Sequence, residues 1–425
     1  LNVTQFYSVG VAPTQPVSGL AGEYFAAGAQ DNGTQYIGNA SAGVNASVET
    51  QGGDGAYTMF DQGADKYYIS NYVYNESINL RPLPGSTVNF KTIDADSNSN
   101  NGAFIAPMIL DSNLDILYAD YTSSAGVYQI RRYGNLKGGG PATRTTFSNV
   151  LLTASPTAFA ISPYTTTATV LLVGTRLGKL YRIPTANTYT GNAATTGTWV
   201  EITGPSFVGS ISDIEFGSSN NEIFVTMHNY NVVSIWYTKD GGATWLNKEG
   251  NFPDIPVKAI MRNPLKVDGS GFATEVIIGT ELGVWFSNNF DTANPTWNQS
   301  YNGMSNVKVM DLDLRNDNTV FAATYGRGIF SGLFTSTTLS SDDNILTKGI
   351  KLYPNPSNGI INISVPNYSG NMDINIFDIN GRNVRSISGE FVTEKALNLS
   401  GLQAGVYVVK LEGDNLSYSE KIVLE

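Results

Sequence analysis

Along most of this chain apolar and polar side chains alternate in short runs, and each run stops at glycine, asparagine or proline. Period-two alternation between turn residues predicts half-buried β-strands, and a helical period is nowhere sustained. Three segments repeat one another, at 171–181, 276–286 and 320–330. Each reads as a buried strand ending in Gly174-Thr175, Gly279-Thr280 or Ala323-Thr324, then a short loop, then another strand. Each also follows an earlier apolar strand, at 157–162, 257–262 and 307–314. The pair 211–216 and 222–227 opens a further unit. Weaker pairs occupy 5–12 with 23–28, 56–60 with 66–70, and 104–110 with 116–119. Seven such units at roughly 48 residues each match the repeat length of four-stranded propeller blades. One such sheet cannot bury both faces, whereas a ring of them can. The expected fold is all-β, a β-propeller of about seven blades over residues 1–334. The last unit, 307–334, shows three strands, and its fourth is expected from a segment preceding Leu1. The chain starts without Met or a signal peptide, so the N-terminal part of a longer precursor is expected to be missing.

At residue 335 the pattern breaks. Residues 335–349 are polar and unpatterned, which reads as a linker. Beyond it, 350–425 carries short alternating strands at 360–365, 372–378, 395–399, 405–411 and 417–424. That rhythm in so short a segment predicts a small Ig-like β-sandwich.

Composition narrows the chemistry. Only 14% of residues are charged, against roughly 25% in an average globular chain. The 44 Gly suit turns, while 23 Tyr and 19 Phe suit strands. Cysteine is absent, which excludes disulfides and Cys-based metal or thiol chemistry. A single histidine argues against a His-ligated metal or a Ser-His-Asp triad, and no cofactor or metal is expected. A net charge of −11 with no long basic run makes nucleic acid a poor partner. No apolar stretch approaches the ~18 residues of a membrane-spanning helix.

Two motifs carry resemblances. Thr238-Lys239-Asp240-Gly241-Gly242-Ala243-Thr244-Trp245 resembles the Asp box (BNR repeat) of sialidase, sortilin and xyloglucanase-type propellers. Ser287, Asp291 and Thr296-Trp297 look like a degenerate copy, and Thr198-Trp199 like the tail of a third. The resemblance implies a structural role for Thr238, Asp240, Gly242, Thr244 and Trp245: Asp accepts backbone hydrogen bonds and Trp packs between sheets. The second motif set lies in 350–425. Pro354-Asn355-Pro356 with Gly359, then Asp378, Gly381 and Arg382, then Gly405 and Tyr407, then Lys421 stand in an order similar to the type A C-terminal sorting domain of the type IX secretion system of Bacteroidetes. This implies transit through the periplasm and outer membrane to the cell surface or medium. It also implies partners in the outer-membrane translocon, its barrel shuttle and its sortase. Local reasons accompany the likeness: the prolines preset an extended entry, Asp378 to Gly381 makes a hairpin turn, and Gly405 frees the backbone before Tyr407. Gly405→Val is expected to be damaging if that position needs a positive φ.

In a four-stranded blade the loops between strands B and C and between D and the next A share one face. On this chain they collect Gln30-Asp31-Asn32, Asn71-Tyr72, Asp120-Tyr121, Arg176, His228-Asn229-Tyr230, Glu281, Tyr325 with Arg327, and Gly52-Gly53-Asp54-Gly55. Aromatics with carboxylates and amides suit sugar recognition, and equally a protein-binding surface. The leading expectation is an exported surface or secreted protein whose propeller binds glycan or protein, in adhesion or surface motility. The rival is an inverting glycoside hydrolase of xyloglucanase-like type using Asp31 and Asp54. Such enzymes set their aspartates across a cleft between two propellers, and this chain has one. Weaker candidates are a calcium-like loop from Asp94 to Asn100, the glycosylation-like Asp291-Thr292-Ala293, and titration of the lone His228.

Overall fold

The computed structural model describes residues 4–38, 40, 47–96, 101–300, 304, 306–336, 350–378, 381–413 and 416–425. It divides into two compact units, Leu1–Ser336 and Thr337–Glu425. The first holds six four-stranded and one three-stranded antiparallel sheets among its described residues. Each is a meander whose strands pair in chain order. In sheet order the inner strands are Gly10–Val11, Gly55–Phe60, Met108–Asp111, Pro156–Ile161, Ile211–Phe216, Val257–Arg262 and Val309–Leu314. Each inner strand packs beside that of the next sheet, and the seventh packs beside the first.

Buried side chains explain this order. Seven hydrophobic clusters lie between consecutive sheets, so every sheet buries both faces. Ala158, Leu172 and Leu180 of sheet 4 meet Ile211, Ile214 and Val225 of sheet 5. Phe6, Val9 and Val11 meet Phe321 and Ala323, joining sheet 7 to sheet 1. Burying each large aliphatic or Phe side chain contributes about 1.5–3 kcal/mol before the entropy of ordering is subtracted.

The repeated Gly-Thr pair has a geometric cause. A Cβ on Gly174 would lie 2.5 Å from Ile211 Cγ2, and one on Gly279 would lie 2.7 Å from Val309 Cγ1. Only glycine lets the next inner strand come so close. The threonine then closes the following turn: Thr280 Oγ1 donates to Gly283 O at 2.8 Å. Thr175 Oγ1 donates to Lys179 O at 3.2 Å.

Sheet 7 has three strands among the described residues, and residues 4–14 fasten it to sheet 1. Phe6 N donates to Thr324 O at 3.1 Å, and Tyr7 N donates to Gly28 O at 2.8 Å. Below them Val9 N donates to Asp311 Oδ2 at 3.0 Å, and Val11 N to Asp313 Oδ2 at 2.8 Å. Thr14 N reaches Asn316 Oδ1 at 2.7 Å.

The second unit is one five-stranded, sandwich-like sheet built from Lys351–Tyr353, Ile360–Asp378, Asn383–Asn398, Gly405–Gly413 and Leu416–Leu424. The expected strands 360–365 and 372–378 are one long strand. It pairs with Asn383–Asn398 with register shifts between Ser364 and Ser369 and between Ile376 and Phe377. Ile361, Ile363, Ile374, Ile376, Phe391, Val409, Leu411 and Ile422 form its core. The expected linker at 335–349 falls almost wholly outside the described residues.

Candidate binding face and central cavity

Hydrogen bonds tie each loop after strand B to the loop before its own inner strand. Arg176 N donates to Ser155 O, His228 N to Ser210 O, Glu281 N to Pro256 O, and Tyr325 N to Lys308 O, all within 3.3 Å. The two loop sets therefore share one face. The anticipated residues on it divide into three groups.

One group is consumed by the fold. Asp120 is fully buried, and its carboxylate accepts from Thr122 N, Thr122 Oγ1 and Ala103 N at 2.7–3.0 Å. Burial pushes its carboxyl above the usual range in spite of those bonds. Tyr121 is 4% exposed beneath the Arg131 guanidinium and donates to Asp96 Oδ2 at 2.7 Å. Asn71 is fully buried and accepts from Tyr57 N at 2.6 Å. Asn229 Oδ1 accepts from Ser210 N at 2.7 Å.

Asp31 and Asp54 do meet, but as a turn clamp. Asp31 takes φ 54° and its N donates to Asp54 Oδ1 at 2.8 Å. The same bond recurs four sheets on, where Asn231 takes φ 59° and its N donates to Asp254 Oδ1 at 2.7 Å. In both places the carboxylate holds a left-handed loop residue. Tyr72 lies under Gly53 of that loop. Tyr325 donates to Gln30 Oε1, and its ring centroid is 5.8 Å from that of Tyr7.

The second group is a polar cluster. Glu281 Oε1 lies 3.0 Å from His228 Nε2 and 2.9 Å from Lys308 Nζ. Burial and then the Lys258 ammonium hold the His228 imidazole below its usual range, against the pull of Glu281. Burial, with Lys308 close by, lowers Lys258 to about 8. The third group is exposed. Arg176, Tyr230 and Arg327 point outward with Leu177, Val208 and Leu282, the apolar four being 66% (Leu177), 61% (Val208), 59% (Tyr230) and 44% (Leu282) accessible.

Inside the ring lies a cavity of about 440 Å³ lined from six of the sheets and by Val9, just ahead of the inner strand of the first. Its wall holds Asp213, Glu215, Asp311, Asp313 and Lys258, which sequence reading passed over. Their signal was present: the inner strands alternate apolar and acidic positions, as in Ile211-Ser212-Asp213-Ile214-Glu215-Phe216. A register shift around Lys258 and another around Met310 leave these cavity-lining residues unpaired. Asp213 spans two sheets, accepting from Ile214 N and from Ile260 N, each at 2.8 Å. Burial raises Asp213 and Asp313 to about 6, and burial with Asp213 beside it raises Glu215 to about 8.

The Asp-box-like segment forms a tight turn. Asp240 accepts from Thr244 N at 2.8 Å, Thr244 Oγ1 at 2.6 Å and Thr238 Oγ1 at 2.7 Å, while Gly242 takes φ 97°. Slight burial opposes these bonds, which nonetheless hold the carboxyl at about 2. Trp245 Nε1 donates to Ile202 O of the preceding sheet at 2.8 Å. In the segment expected to be a degenerate copy, Asn289 rather than Asp291 accepts from Thr296 N, at 2.8 Å, and Asp291 is exposed. Trp297 Nε1 donates to Lys248 O at 2.9 Å. Of the calcium-like loop, Asp94 is neutralised by Arg131 and Arg144 at 3.1 and 3.3 Å, and 97–100 lie outside the described residues.

In the second unit Asn355 bridges to the last strand, donating to Lys421 O at 2.8 Å and accepting from Val423 N at 2.9 Å. Pro354 and Pro356 flank it, exposed, as is the Lys421 side chain. Asp378 accepts from Arg382 N at 3.0 Å and pairs with its guanidinium at 3.1 Å, and Gly381 takes φ 76°. Tyr407 donates to Gln403 O at 2.9 Å. Gly405 does not show the expected clash: its φ of 159° is close to extended, and a Cβ there meets only Tyr407 Cε2 at 3.9 Å. Gly359 is the constrained position, with φ 106° and Ser400 Cα 2.8 Å from a built Cβ.

Residues 351–425 match the family described as the secretion system C-terminal sorting domain. No curated protein matches the chain. Among solved structures, the β-propeller domain of Cps50 (Swd1) from Myceliophteria thermophila is similar at 12% identity and TM-score 0.50, over 77% of this chain and 98% of that one. That likeness makes the first unit a β-propeller and concerns fold alone. The sorting domain marks a chain exported by the type IX secretion system, whose machinery it engages, to a surface-attached or secreted state. No described helix is long and apolar enough to cross a membrane.

Proposed function

We propose that the propeller of this exported protein is a non-catalytic binding module whose loop face docks a protein surface, in adhesion or surface movement. One observation carries the reading: Leu177, Val208, Tyr230 and Leu282 are exposed on successive loops that are joined to one another. Gly178 abuts the backbone of Phe207 and Gly209, Ser210 bonds to His228 and Asn229, and His228 bonds to Glu281. Contiguous exposed aliphatics beside a Tyr and an Arg are the composition of an interface centre. A sugar site needs open aromatic platforms, and of the anticipated tyrosines Tyr121 is buried while Tyr325 is engaged with Gln30. The clamp role shared by Asp54 and Asp254 argues against hydrolysis through Asp31 and Asp54. We also read the ring as seven-bladed with a three-stranded last blade, the turn at Asp240 as an Asp box, and 335–349 as the linker to a sorting unit at 350–425.

The full chain, the double variant Leu177→Asp/Val208→Asp and the single variant Tyr230→Ala provide the test. Binding to outer-surface proteins of the producing cell or its substratum should fall at least tenfold in both variants while export stays normal. Glycan binding lost in Tyr230→Ala but kept in the double variant would transfer the ligand to sugar. Reducing-end release from a glycan, abolished by Asp31→Asn or Asp54→Asn, would overturn the non-catalytic reading.

A further inference from the structure

Away from the loop face, the turn between the first two strands of sheet 2 meets its counterpart in sheet 3. Asp61 and Asp65 belong to the first turn and Asp115 to the second. Each presents a carboxylate oxygen within 4.8 Å of the other two. Asp61 is 2% exposed; its Oδ2 accepts from Asp65 N at 3.0 Å, and its Oδ1 has no hydrogen-bond partner among the described residues. A carboxylate oxygen buried without a donor loses its hydration uncompensated. Asp61 thus brings a buried carboxylate with an unsatisfied oxygen to within 4.8 Å of two further carboxylates, an arrangement that favours positive charge.

Part of that charge is built in. Lys137 Nζ lies 2.7 Å from Asp65 Oδ2 and 2.6 Å from Asp115 Oδ2. Tyr67 donates to Asp115 Oδ1 at 2.9 Å. One ammonium against three carboxylates leaves an excess of two negative charges, and Asp61 is not among its partners. The Lys137 side chain is 37% exposed, so its ammonium can turn into water at small cost. The cluster thus already selects a cation, through a group that can be displaced.

We propose that Asp61, Asp65 and Asp115 form a Ca²⁺ site that pins the second and third sheets together, with the Lys137 ammonium as its exchangeable occupant. An all-oxygen carboxylate set of irregular geometry suits Ca²⁺ above Mg²⁺, which demands a near-ideal octahedron, and above softer metals. Water completes the coordination on the exposed side. Ca²⁺ sites in extracellular modules bind at about 10⁻⁴–10⁻³ M, and this protein is exported.

Calorimetric titration of the chelator-treated full chain with CaCl₂ at constant ionic strength, paired with thermal melts, tests the site. One Ca²⁺ should bind with Kd in the range of about 10⁻⁴–10⁻³ M, and the melting temperature should rise with Ca²⁺ but not with equivalent Mg²⁺. Lys137→Gln removes the competing ammonium and should tighten binding several-fold. Asp61→Asn and the more exposed Asp65→Asn should each weaken it at least tenfold. No Ca²⁺-dependent heat or shift in either the native chain or Lys137→Gln overturns the proposal. So does Ca²⁺ binding that is equal in Asp61→Asn, Asp65→Asn and the native chain.

Discussion

Glu215 stands in the cavity wall and accepts no hydrogen bond among the described residues. Burial, then the neighbouring Asp213 carboxylate, raise its carboxyl to about 8. The folded chain therefore binds this proton more tightly than the unfolded chain does. Its contribution to stability is complete below the ordinary glutamate range and is lost as pH rises towards 8. Asp213, Asp311 and Asp313 have the same sign, with losses spread up to about pH 6 for Asp213 and Asp313. Glu215→Gln should raise the melting temperature by several degrees at pH 8.5 and leave it unchanged at pH 4. Equal effects at both pH values would show that the carboxyl is not held protonated. Other single residues were harder to read from sequence. Asp120 and Tyr121 have surface-like identities, yet tertiary packing places them under a loop and a guanidinium. Asn289 escaped because an amide oxygen can replace a carboxylate as the turn's acceptor, three residues of inserted loop following it.

At the scale of elements, strand order in the ring was legible because its causes are local and repeated. The Gly-Thr pairs, the alternation, and the turn residues each specify one strand and one bend. The weakly patterned N-terminal segment was legible only in part: 5–12 reads as one strand, while the structure gives bridges at Gln5 and Phe6 and a two-residue strand, Gly10–Val11. Its role depends on residues some three hundred positions away. Asp311 and Asp313, two apart on one strand, receive Val9 N and Val11 N, and so close the ring with side chains where a ladder is lacking. Asp311→Ala with Asp313→Ala leaves two backbone donors unpaired, at about 1–3 kcal/mol each. The urea midpoint should fall accordingly, and protease should cut first within residues 4–14. An unchanged midpoint would mean that the apolar contacts of Phe6, Val9 and Val11 suffice for closure. In the C-terminal unit the last two strands were legible, but the fusion of 360–365 with 372–378, the strand Lys351–Tyr353 and the stretch 383–394 of Asn383–Asn398 were not, since the register shift between Ser364 and Ser369 depends on partners in another strand.

For the whole molecule, one unit addresses the protein to the cell exterior, and the other is a β-propeller whose loop face we propose to bind there. The address was readable because its motifs lie in order within one segment, each with a local structural reason, such as Asn355 holding Lys421 and Val423. The proposed docking patch was not readable, because its exposed residues Leu177, Val208, Tyr230 and Leu282 come from four loops of three successive repeats and look like scattered surface positions until the sheets are assembled. The division of labour rests most directly on export. In a host with the type IX machinery, the protein made from its own gene without residues 350–425 should accumulate in the periplasm, folded and unexported. The same segment placed after an unrelated periplasmic carrier should send that carrier to the surface or medium. Secretion of the shortened protein at the level of the full chain would contradict the account.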